Sequence, residues 1–234
     1  MKALILTALI NLGLFNPYPY EYETKTDLCE WVKEDTKDLM GIVNENLRIK
    51  EERRKQEEEK QRQIRLEIER KNNIGYDPNN VGQFNNITHE EMYNVLTHFG
   101  IEDLSYSICE SSKNNNINPF FLASIVGLES GWNTSARASR GNVTGYMAYS
   151  SSAPTEGFSS ADACISRTAY ELREHYLNEG GKYFNGYGSQ GVNVKYCLMG
   201  DMRTTDYSWS SKIDAISYEM VNKYKEIYIK ESGA

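Results

Sequence analysis

Residues 51–71, EERRKQEEEKQRQIRLEIERK, are almost wholly charged, and no folded core can take such a run in. An unpaired charge moved into apolar surroundings is strongly disfavoured. From Lys50 to Gln63 there is no apolar side chain at all, so the segment lacks the a/d seam of a tight coiled coil. It can, however, stand in water as a helix, because acids and bases interleave at spacings of three and four. Just upstream, Leu28, Trp31, Val32, Leu39, Ile42, Val43 and Leu47 give a partial apolar periodicity. The pattern predicts one continuous helix over 26–72, a solvated spacer along which self-association or a partner is an option. Within the larger 21–72 segment it separates whatever precedes it from the globular part of the chain.

What precedes it reads as a targeting segment over 1–20. Lys2 supplies a positive start, and Ala3 to Phe15 is an apolar run of 13 residues. A helix of that length reaches only about 20 Å, short of the roughly 30 Å hydrocarbon core, so a signal peptide is expected and not a stable membrane span. The expected destination is secretion or the cell wall, although no A-x-A cleavage site follows. Behind the charged helix, residues 73–86 are rich in Asn and Gly with one Pro, the composition of a linker. Residues 87–234 then form the expected globular domain.

Charge and cysteine usage narrow the classes. The net charge is −7, which gives no basic footprint for nucleic acid. The four cysteines, Cys29, Cys109, Cys164 and Cys197, form no C-x-x-C pair, and the three histidines are isolated. Neither a zinc site nor a Ca loop nor a phosphate loop is indicated, so no metal and no cofactor is expected. The 17 tyrosines suit core packing, with stacking on sugar faces as a second use.

Over 87–234 nearly every segment carries a helical signature, which makes the fold class mainly α with long loops. Thr88-His-Glu-Glu91 is a capping box, followed by the apolar face of Met92, Val95, Leu96 and Phe99. A second helix is expected from about Asp103 to Asn114. Asn118-Pro119 opens a third, whose body FFLASIVGLE is apolar almost all round and therefore buried. Further helices fit Ser160–Leu177 and Trp209–Ile229, the latter with Trp209, Ile213, Ile216, Met220, Tyr224 and Ile227 at spacings of three and four. Between them lie loops at 139–158 and 178–208, the usual homes of a site.

One residue stands out. Glu129 brings a carboxylate to the end of the most apolar helix and is followed at once by Ser130-Gly131. Apolar surroundings and the negative end of the helix dipole both favour the neutral acid. A carboxylic acid that keeps its proton near neutral pH is what a glycosidase uses to protonate a leaving oxygen.

The surrounding pattern can be read in six ordered blocks: Gly127-Leu128-Glu129-Ser130-Gly131-Trp132 with Thr134-Ser135; Asn142-Val143-Thr144-Gly145-Tyr146; Phe158-Ser159-Ser160; Gly181-Lys182-Tyr183-Phe184-Asn185-Gly186; Asn193-Val194-Lys195-Tyr196-Cys197; and Thr205-Asp206 with Trp209-Ser-Ser-Lys212-Ile213. In this order, over about residues 87–229, the chain resembles the bacterial cell-wall endo-β-N-acetylglucosaminidases of glycoside hydrolase family 73. The resemblance implies a lysozyme-like helical domain that cleaves peptidoglycan on the reducing side of N-acetylglucosamine. It implies Glu129 as the acid and glycan strands as the partner. Trp132, Tyr146, Tyr149 and Tyr183 become candidate walls of a sugar cleft, each with core packing as the alternative. Asn142 and Asn185 are candidates to bond acetamido or hydroxyl groups, or else to cap loops. Relatives often carry Asp where this chain has Ser150, and Tyr where it has Arg203; Tyr196 or Tyr207 is then the replacement hydroxyl. The second carboxylate is expected at Glu156, with Asp162 behind it; otherwise the substrate's own acetamido group serves as nucleophile.

Two other functions fit parts of the pattern. A lytic transglycosylase also uses a lone Glu within Glu-Ser, and Gly145-Tyr146-Met147 matches its Gly-x-Met in part. A non-catalytic wall-binding scaffold would make the charged helix the working part.

Overall fold

A 48-residue helix, α1 (Lys25–Asn72), comes first and runs through the charged segment without a break. It begins the part of the chain that the computed structural model describes, residues 25–136, 138–146, 157–197 and 205–229. Residues 1–20, with the signal-like segment, lie outside it. The fold is mainly α, with seven α-helices and no strand among the described residues. None of these helices is long and apolar enough to cross a membrane.

The chain divides into two units, Met1–Gln63 and Ile64–Ala234. In the first, α1 is held by its own surface. Arg48 bonds Glu45 at 2.7 Å and Glu52 at 2.9 Å, and Arg54 bonds Glu51 at 2.6 Å and Glu58 at 2.7 Å. These are the spacings at which helical side chains meet, with each Arg gripping one acid a turn before it and one a turn after. Leu39, Met40, Ile42, Val43 and Leu47 are all exposed.

The second unit takes in the last turns of α1 and everything after them. Its helices are α2 (His89–Leu96), α3 (Ser105–Asn114), α4 (Pro119–Ser130), α5 (Ala161–Glu171), α6 (Ser189–Tyr196) and α7 (Ser208–Tyr228). A 3-10 turn, Glu102–Leu104, leads into α3, and α5 runs on into a π-helical stretch, Leu172–Leu177. The expected loop over 178–208 thus contains a helix, α6. That helix has only a weak apolar periodicity, and no side chain caps its start.

Helix α4 is the centre of this unit. Asn118 caps it, its side chain accepting from the backbone N–H groups of Phe120 and Phe121, and Pro119 takes the first position, where no N–H is needed. Every residue from Pro119 to Gly127 is buried. Phe120, Phe121, Leu122 and Ile125 are wholly buried, each stabilising the fold by about 1.5–3 kcal/mol. Helix α4 packs on α7 and α3, and α3 in turn packs on α2 and α5. The one polar side chain buried in the body of α4, Ser124, is satisfied by Phe120 O at 2.7 Å and Ser217 Oγ at 2.8 Å.

The Asn- and Gly-rich stretch 73–86 belongs to this unit. Ile74 and Val81 are buried in the core. Val81 N–H donates to Tyr187 O at 2.9 Å, Asn118 N–H donates to Val81 O at 2.8 Å, and the Asn85 and Asn118 side-chain amides both donate to Gly75 O at 2.9 Å. Composition alone suggests a linker because its polar residues outnumber its apolar ones. Here they serve as hydrogen-bond partners that let an irregular strand of chain be buried.

The capping box of α2 is present as expected, and its acid has a second role. Glu91 accepts from Thr88 N–H at 2.9 Å and is also gripped by both Arg70 guanidinium nitrogens, at 2.9 and 2.5 Å. Arg70 additionally donates to Asn86 O at 2.9 Å. Burial alone would raise the Glu91 carboxyl, but the Arg70 guanidinium and the Thr88 donors more than offset it and hold it below its usual range.

Candidate active site

Glu129 occupies the penultimate position of α4, and the helix end around it is a Schellman motif. Gly131 takes the left-handed conformation at φ +58°. Its N–H bonds Leu128 O at 3.4 Å, and Trp132 N–H bonds Gly127 O at 2.8 Å. The motif folds the Trp132 ring over Gly127, where an added Cβ would meet the ring at 2.4 Å. In the run Gly127-Leu-Glu-Ser-Gly-Trp132, the glycines therefore have a geometric reason. One admits the indole and the other turns the chain. Trp132 and Asn133 also have positive φ, +56° and +63°, a conformation uncommon for any non-glycine residue and most often tolerated next to functional sites. The ring of Trp132 stacks on Phe99 at 5.4 Å and packs against the core. It is a partly buried packing residue, which favours the second of its two expected roles.

The carboxylate of Glu129 is partly buried and held from two sides. From the start of α7, Trp209 Nε1–H donates to Oε1 at 2.8 Å. From the loop after Gly141, Gly145 approaches Oε2 so closely that a Cβ there would sit 2.7 Å from it. Gly145 has φ +67°, so glycine is favoured at this position on two counts. Asn142 builds this loop. Its amide nitrogen donates to Tyr146 O at 2.9 Å while its Oδ1 accepts from Tyr146 N–H at 3.0 Å. Asn142 is fully buried, so of its two expected roles the structure supports loop-holding over contact with a ligand.

An aromatic row begins beside the carboxylate. Trp209 lies against Tyr196 at 5.0 Å, Tyr196 against Tyr176 at 5.9 Å, and Tyr176 against Tyr183 at 5.1 Å. Tyr196 donates its hydroxyl to Thr144 O at 3.1 Å, which ties α6 to the Gly145 loop. Burial pushes the Tyr196 phenol well above its ordinary value, and the negative charge of Glu129 adds to the effect. The Cys197 thiol is pushed up to about 11, again by burial first and Glu129 second. Both shifts report a carboxylate in a poorly solvated neighbourhood.

The other expected residues fall as follows. Tyr183 is half-buried at the end of the row, with the Lys182 ammonium 5.0 Å from its ring centre. Asn185 is exposed in the turn before α6. Tyr146 packs edge-on to Phe158 at 5.6 Å, and its hydroxyl accepts from Arg167 at 3.4 Å. Of the two candidate replacement hydroxyls, Tyr196 is in the site and Tyr207 is 72% exposed. Asp162 is exposed in the first turn of α5, where its carboxylate accepts from the Ser107 hydroxyl of α3. Tyr149, Glu156, Ser150 and Arg203 lie outside the described residues. Among the described residues no group of His, Cys, Asp and Glu is arranged to hold a metal ion. Cys109, Cys164 and Cys197 are free thiols.

Two contributors are not legible in the sequence as site residues. Trp209 reads only as one of a series on an apolar helix face, yet its N–H reaches Glu129 across 80 positions. Tyr176, carried on the π-helical stretch, carries no motif of its own. An extra residue per turn is a common device near functional sites, but it leaves no local mark in the chain.

The arrangement is a carboxyl group with one oxygen engaged by a pure donor and the other facing a glycine, flanked by flat aromatic surface. Such a group is suited to giving or taking a proton in a site poor in water. Searches against known proteins add nothing to this geometry, since no family model and no curated protein matches the chain.

Proposed function

We propose that the Ile64–Ala234 unit is a peptidoglycan hydrolase, an endo-β-N-acetylglucosaminidase in which Glu129 is the general acid. The observation that supports this reading most is the seat of Glu129: an ionisable group at the tip of the most buried helix, with Trp209 on one oxygen and Gly145 against the other. A purely structural carboxylate in that place would call for a cationic partner. The partner seen here is a neutral N–H. The row from Trp209 through Tyr196 and Tyr176 to Tyr183 supports a saccharide ligand, because flat aromatic faces suit the apolar faces of pyranose rings. The order of the six sequence blocks supports the choice of glycan and bond.

In this reading Glu129 protonates the departing glycosidic oxygen and is left as a carboxylate that the Trp209 N–H stabilises. The opposite face of the sugar is attacked either by water activated at a second carboxylate, with Glu156 the candidate, or by the substrate's own acetamido oxygen. No cofactor is needed. The signal-like segment supports export to the cell wall, with peptidoglycan strands as the partner and α1 as a spacer.

The test is turnover of purified peptidoglycan by the full chain and by Glu129→Gln, with mass analysis of the fragments. The wild type should release fragments with N-acetylglucosamine at the reducing end. The variant should fold normally and lose at least about 10²-fold in rate, the usual contribution of a general acid. Equal rates would remove Glu129 from its role. Anhydro-sugar ends would instead identify a lytic transglycosylase, and binding without release would identify a scaffold.

A further inference from the structure

We propose that Trp209 is the positioning residue of Glu129: its indole N–H occupies Oε1 and so commits the acidic proton to Oε2, the oxygen against Gly145. The inference rests on Glu129 being the acid. An indole N–H donates and never accepts, so the oxygen it bonds cannot present a proton to it. When the acid is neutral, Oε1 is therefore the carbonyl-like oxygen and Oε2 carries the hydrogen. When the proton leaves, the same N–H stabilises the anion left behind, because donors bond a carboxylate more strongly than a neutral acid. Without the donor, the proton would exchange between the two oxygens and spend part of its time on the wrong one.

The packing makes this donor a fixed one. Trp209 is only 3% exposed, in the first turn of α7. Phe121 of α4 meets its ring edge-on at 6.5 Å, and Tyr196 of α6 lies against it at 5.0 Å. The indole is thus clamped between the helix that carries Glu129 and the helix that carries Tyr196. On the far side, Gly145 leaves Oε2 uncrowded, since any side chain there would press on it. A hydrophobic side chain would fill the Trp209 position equally well as packing, but it would leave Oε1 without this donor.

The groups facing Glu129 do not blur a titration. On α6 these are the Tyr196 phenol and the Cys197 thiol, both pushed up, the thiol to about 11, so both stay neutral through neutral pH. Around that thiol stand Asp206, whose carboxyl is held below its usual range by the Ser208 hydroxyl and N–H, and the ammonium of Lys212. The Gly145 loop adds the Tyr146 phenol, whose hydroxyl is turned to Arg167.

The experiment replaces Trp209 in the full chain in two ways. Trp209→Phe removes the N–H and some volume. Site-specific incorporation of benzothienylalanine removes the N–H but keeps the two-ring shape, and it remains decisive if the Phe variant folds poorly. Glu129 is followed through its side-chain ¹³C carboxyl signal, assigned by its loss in Glu129→Gln, alongside the pH profile of peptidoglycan turnover. Removing a donor that favours the anion should move the Glu129 titration up by about one pH unit. The alkaline limb of the kcat profile should move with it, and kcat should fall about tenfold with KM little changed. A titration unmoved in the benzothienylalanine protein, with Glu129→Gln inactive, overturns the role of Trp209 alone. Activity retained in Glu129→Gln overturns the role of Glu129, and with it the catalytic meaning of the pairing.

Discussion

The grip of Arg70 on Glu91 is the sharpest place to perturb this fold without touching the candidate site. Both residues belong to the Ile64–Ala234 unit, and the Glu91 side chain is only 6% exposed while that of Arg70 is 23% exposed. Replacing Arg70 by Met keeps the aliphatic stem but strands a nearly buried carboxylate. Breaking a fully buried pair from one side costs about 3–5 kcal/mol. The partial exposure of Arg70 lets water compensate, and we discount the loss to about 2 kcal/mol. For a unit of this size that corresponds to roughly 4–8 °C in Tm. The effect has a defined pH dependence. Because Glu91 is held below its ordinary value of 4.5 in the folded state, its contribution is full above that value and fades as pH falls through the depressed one. Thermal melts of wild type and Arg70→Met should therefore differ at pH 7 and converge toward pH 3. Arg54→Met provides the control, since its ion pairs are exposed and should leave the melting of this unit unchanged. Equal Tm values at pH 7, or a gap that persists undiminished in acid, would refute the assignment of Arg70 as the partner that keeps Glu91 ionised.

Other outcomes follow from the same geometry. Gly145→Ala should cost about 1–2 kcal/mol from its positive φ and push the Glu129 carboxylate aside, lowering kcat about 10²-fold while circular dichroism stays helical. Gly127→Ala should expel the Trp132 ring from its seat, seen as increased Trp132 exposure in fluorescence quenching against a background in which Trp31 and Trp209 are replaced. Val81→Asp places a charge in the core and should abolish cooperative melting, which a true linker at 73–86 would tolerate without change. A chain cut to residues 64–234 should retain the melting transition of that unit, as differential scanning calorimetry would show.

Local chemistry made much of this protein readable in one dimension. The charged run at 51–71 could only be a solvated helix, since charge spacing of three and four satisfies itself along one helix face. The capping box at Thr88–Glu91, the Asn118-Pro119 start and the αL turn at Gly131 are each decided by residues within a few positions of one another. Helix α4 was legible as buried because it is apolar almost all round. That a carboxylate should end it was enough to single out Glu129.

Tertiary structure decided the rest, because the deciding contacts join residues far apart in the chain. The stretch 73–86 has the composition of a linker, yet Val81 pairs with Tyr187 and Asn118, and nothing local records those partners. Asn142 could serve a ligand or a loop until Tyr146 took both ends of its amide. Trp132 could line a cleft or pack until the Schellman turn laid it over Gly127. Trp209 met Glu129 only when α7 came to rest on α4. A helix face states that a side chain is buried, but only the packing of that face determines which group its N–H will find.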